Sequence, residues 1–254
     1  MADRFTRSGN PGLNDKTFAN QPIAGAGVEP MTLPGTINKS FLLLMVLLLG
    51  ALWPWSQYLS SGNIAVIEPS LLIGAIGGLV LALIISFKAN TAPYLALPYA
   101  ALEGLAVGAM SAVLERRFPG IALQAVGLTF GVFAAMLIAY RTGLIRATER
   151  FRAVVIAATG GIVLVYLATM VLSLFHVNAP VFSINDSSPL SIGVSLLIVG
   201  IAALNLILDF NIIETGVARS APRYMEWYCA FGLLVTLVWL YMEILRLLAK
   251  MRRD

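Results

Sequence analysis

The chain has 254 residues, 59% of them hydrophobic and only 12% charged, against about 25% charged in ordinary soluble domains. So few charges cannot clothe a soluble domain of this size, and the chain reads as an integral membrane protein with the lipid bilayer as its first partner. Its formal net charge of +4 comes from basic residues set between hydrophobic runs rather than along one stripe, which excludes nucleic acid as a partner.

Residues 1–39 are rich in Gly, Pro, Asn and Thr and show no sustained periodicity. They are expected to form a mostly flexible cytosolic tail, with a short helix near Thr36–Lys39 left open, and they lack the order of a signal peptide. From Ser40 onward, apolar runs of the length needed to cross ~30 Å of hydrocarbon as helix recur. They cover about 40–58, 69–87, 92–114, 121–140, 153–175, 190–211 and 228–248. The expected fold is therefore all-α, with seven transmembrane helices making up a domain over residues 40–250. Small residues in "IGAIGGL" and "EGLAVGAMSA" invite close helix contact.

Lys and Arg divide unequally between the two sides. Arg4, Arg7, Lys16, Lys39, Lys88, Arg141, Arg146, Arg150, Arg152, Arg219 and Arg223 fall on one, and Arg116, Arg117, Arg246, Lys250, Arg252 and Arg253 on the other. The positive-inside bias places the N-terminus in the cytosol and the C-terminus outside. The four basic residues at the C-terminal end pull against that orientation.

Few ionisable residues lie within or beside the spans. Glu103 is near the middle of the third, Asp209 in the cytosolic third of the sixth, Glu243 toward the outer end of the seventh, and Lys88 closes the second. A charge at membrane depth costs ~2.5–3.5 kcal/mol on insertion scales, so such residues mark ion or proton paths. Glu243 has a bland alternative, an ion pair with Arg246 one turn on, and Lys88 another, as a snorkelling anchor. Glu103 has the option of a hydrogen bond across helices. Asp209 is harder to dismiss, because Asn205 lies one turn before it and Asn211 two residues after.

With one Cys (Cys229) and one His (His176, in an external loop), an internal disulfide and a zinc or haem set are excluded. No cofactor is expected. An intramembrane serine protease needs Ser and His facing each other, and a paired-aspartate motif is missing, so no enzyme is expected either.

The segment "LNLILDFNIIE" in the sixth span, "WYCAFGLLVTLVWLYMEILRLLAK" in the seventh and "YAALEGLAVGAM" in the third resemble the corresponding helices of the Bax inhibitor-1 family, the transmembrane Bax-inhibitor-motif proteins. The tail, with "NPGLN" and "MTLPGTINK", is similar to bacterial branches of that family. The resemblance implies seven helices with the seventh central and six wrapped around it. It also implies a pH-sensitive calcium leak in a bacterial inner membrane, in which a helix-six aspartate pairs with one on helix seven. A basic residue at the end of helix two helps to hold the closed state. Asp209 matches the first aspartate and Lys88 falls near the basic residue, but Thr236 stands where the second aspartate is expected. Two carboxylates would titrate as a coupled pair, whereas a threonine supplies only a hydroxyl. Glu103, or Glu243 two turns beyond Thr236, is left as a candidate partner. Calcium takes six to eight oxygens, so Asp209, Thr236 and Asn205 suit transient passage better than storage. Calcium or protons are the implied cargo. The competing reading is a non-transport protein that binds other membrane proteins, such as proteases or secretion components.

Overall fold

In the computed structural model, residues 29–175 and 186–252 are described. Residues 1–28 of the expected tail and His176 lie outside them. Among the described residues, seven helices are long and apolar enough to cross a membrane, and the chain is a multi-pass membrane protein. They are α1 (Leu33–Ser61), α2 (Ile64–Phe87), α3 (Ala92–Arg117), α4 (Ile121–Arg141), α5 (Glu149–Leu174), α6 (Pro189–Ala218) and α7 (Met225–Met251).

Several helices run beyond the apolar stretches because their ends carry their own caps. α1 starts at Leu33, well before Ser40, because the Thr32 side chain accepts the Gly35 N–H and a proline occupies the first turn. It ends at Gly62, whose positive φ of 66° closes the C-terminus. α2 starts at Ile64 because Asn63 caps the Ala65 N–H. α6 continues two turns past Asn211, since Ile212, Ile213 and Gly216 remain buried there. The end of the expected tail is also more ordered than its composition implied. Met31 is buried and donates its N–H to Ala221 O at 2.7 Å, and Pro30 bridges Pro222. Residues 29–31 are thus clipped to the turn between α6 and α7.

α7 is the most deeply buried helix and packs against α1, α3, α4 and α6. The outer helices are arranged less evenly than six wrapped around one: α2 leans mainly on α3 and α1, and α5 on α6. The tightest crossing joins α1 and α3. A Cβ placed on Gly104 would lie 2.2 Å from Leu47 O, and one on Gly108 2.3 Å from Ala51 O, so only glycine lets these backbones touch. Ala100, Gly104, Gly108 and Ala112 are spaced by four and all buried, a small-residue stripe of the kind that draws apolar helices together without side chains between them.

Large apolar side chains, including Phe41, Trp53, Ile76, Leu123 and Leu164, cover the outside. In water such a surface would aggregate, and in hydrocarbon it is the ordinary face of a bundle.

Candidate functional site

The α6–α7 contact at the centre of the bundle carries the residue that the sequence singled out. Asp209 is 2% exposed and Thr236, opposite it on α7, 4%. Their side chains are hydrogen-bonded, while Asp209 Oδ2 has no hydrogen-bond partner among the described residues. The Thr236 hydroxyl also lies 3.3 Å from Gly232 O, so its single proton is divided between a backbone carbonyl and the carboxyl. Cys229 is buried on α7 two turns before Thr236. Among the described residues no cation pairs with Asp209.

The other residues singled out in the sequence are dispersed. Asn205 turns to α5, donating to Thr159 Oγ1 at 2.8 Å and to Ile201 O at 2.9 Å. Glu103 is half-buried on the α2 side of α3, where a Cβ on Gly78 would lie 2.9 Å from its Oε2. Glu103 packs into the α2–α3 seam because α2 is locally reduced to glycine, so it does not replace the missing second acid. Glu243 is 1% exposed but engaged: Arg246 Nη1 donates to both its oxygens at 2.9 Å and Tyr166 OH to Oε1 at 2.8 Å. Its ion pair with Arg246 is therefore formed, and α5 joins it through Tyr166. Lys88 is exposed at the corner after α2 and is not among the groups around Asp209. The pair Asp209–Thr236 is what remains of the expected constellation.

Three polar clusters escaped the sequence. Glu226, 2% exposed at the start of α7, forms a salt bridge with Lys39 of α1 and accepts the Thr32 N–H at 2.7 Å and hydroxyl at 2.9 Å. Asn211 links Arg152 of α5 to Tyr140 of α4, and Tyr140 donates to Glu214. On the opposite side, buried Lys250 donates to Ser191 Oγ at 2.6 Å. Nearby, Asp186 accepts the Ser188 N–H at 3.0 Å, which holds its carboxyl below the usual range. The signal that existed was a charge inside an apolar stretch, as in "RYMEWYC". The partners, 187 residues away for Lys39 and Glu226, follow no local pattern.

As a metal site the centre is poor. Among the described residues no group of three His, Cys, Asp or Glu side chains could hold an ion, and Asp209 and Thr236 offer few of the oxygens that calcium takes.

Fold and site together define a seven-helix membrane protein with an acid sealed between its sixth and its central seventh helix. The family model described as Bax inhibitor 1 like matches residues 7–253, and the chain belongs to that family. No curated protein and no solved structure matches it.

Proposed function

We propose that the protein is a proton-sensitive cation leak, with calcium as its ion and Asp209 as its gate. The observation that carries this reading is the buried carboxyl at the α6–α7 contact, held by one hydroxyl and with its second oxygen unpartnered. A change of charge there meets no cation to offset it, so it acts on the contact between the two helices. Buried unpaired charge is among the most disruptive events a packed interface can undergo. Asp209, Thr236 and backbone carbonyls would supply the oxygens for a passing ion, weakly enough to release it.

The same reading places the chain in a bacterial inner membrane with the N-terminus cytosolic and the C-terminus outside. Support comes from the distribution of cations. Arg246 and Lys250, which weigh against that orientation, are engaged within the bundle by Glu243 and Ser191 rather than presented to a headgroup surface.

The test is calcium entry into proteoliposomes carrying the purified chain, compared with protein-free vesicles between about pH 6 and about pH 8. The expected outcome is a flux above background whose size varies with pH. Background flux at every pH removes the leak, and the reading as a partner of other membrane proteins then leads.

A further inference from the structure

Between α1 and α4 the bundle is open on its side. A cavity of 590 Å³ lies there, well inside the ~300–1,000 Å³ typical of ligand sites. Its walls come from α1 and α4, including Phe41, Leu44, Phe133 and Leu137, and its floor from Phe210 of α6 and Leu237 of α7. Along α4 the lining runs from Phe130, midway along the helix, to Arg141 at its end, about 16 Å at ~1.5 Å per residue. That is close to half of the ~30 Å hydrocarbon layer. The cavity is therefore one leaflet deep, and it ends at the centre of the membrane.

Its polar groups gather at the opposite end, where Arg141 closes α4 and Glu214 lies in the last turns of α6. Both are exposed. Among the described residues Arg141 pairs with no carboxylate, and Glu214 accepts the neutral Tyr140 hydroxyl and makes no ion pair. The rim thus offers one cation and one anion at headgroup level above an apolar slot.

We propose that this cavity is a binding site for a zwitterionic phospholipid with a phosphoethanolamine head. One acyl chain fills the slot between α1 and α4, the phosphate meets Arg141, and the ammonium meets Glu214. A guanidinium suits a phosphate by its forked donors, and the carboxylate gives the ammonium an acceptor that an anionic head, such as phosphoglycerol, would find repulsive. The occupant would sit one layer from the central pair, because Phe210 adjoins Asp209 and Leu237 adjoins Thr236 in sequence. The site stands independently of whether the protein conducts ions.

The experiment is native mass spectrometry of the full chain in detergent, given equal amounts of phosphatidylethanolamine and phosphatidylglycerol with matched chains. The wild type is expected to retain the ethanolamine lipid about tenfold better, the worth of one charge-assisted hydrogen bond. Glu214→Gln should abolish that preference, Arg141→Gln should lower retention of both lipids, and Leu237→Trp, which fills the slot, should do the same. Both rim residues are exposed, so their variants keep the fold. Equal retention of the two lipids by the wild type, or an unchanged preference in Glu214→Gln, would overturn the proposal. So would a lipid signal that emerges only after residues 1–28 are removed, since the chain's own tail would then be the occupant.

Discussion

Asp209 and Glu243 are both sealed acids, yet their surroundings differ in kind. Glu243 has a guanidinium and a phenol, and its partner Arg246 is 26% exposed against 2% for the Glu243 side chain. Such a pair is asymmetric. Arg246→Ala leaves a buried carboxylate with only Tyr166, and is expected to cost roughly 3 kcal/mol. Glu243→Ala leaves a guanidinium that can reach water, and is expected to cost about 1–2 kcal/mol. Thermal unfolding in detergent ranks the two, and equal losses would mean that Tyr166 alone satisfies Glu243. Asp209 has no such partner and depends on Thr236. Its pairing with Thr236 was legible in the sequence because both positions sit in motifs with a known relation between two helices. The ties of Glu226 to Lys39 and of Lys250 to Ser191 were not, since each joins segments that only tertiary packing brings together.

At the scale of helices, composition and run length located all seven elements but not their ends. Length rules describe the hydrocarbon crossing, whereas ends are set by caps such as Thr32 and Asn63 and by turns that stay buried, as beyond Asn211. The stripe in "EGLAVGAMSA" signalled close contact without naming its partner, which is α1. Gly104→Leu is expected to push Leu47 and the α1 backbone away, with a cost of about 1–3 kcal/mol from overpacking and a lower melting temperature. A variant at Gly127, where an added Cβ meets nothing within 4 Å, should melt like the wild type. If Gly104→Leu also does, the α1–α3 crossing is not set by backbone contact. Glu103 shows the limit of span-by-span reading: its depth in the third span was clear, but the face it occupies is decided by Gly78 on α2.

For the whole molecule, the architecture explains why one acid can matter. α7 is the most deeply buried helix, so a change at its contact with α6 is passed to α1, α3 and α4, which also pack on it. Polar clusters hold both ends of α7, Glu226 with Lys39 at one and Glu243 with Arg246 at the other. The middle, where Asp209 meets Thr236, is the weakly satisfied segment between them. In the proposed leak, the state of Asp209 sets the α6–α7 contact and through it the flux. Calcium flux through Asp209→Asn in proteoliposomes, measured beside the wild type between about pH 6 and about pH 8, tests this most directly. The wild-type flux is expected to vary with pH and the variant's to stay flat. A variant whose flux keeps the wild-type pH dependence would contradict this and move the gate away from Asp209.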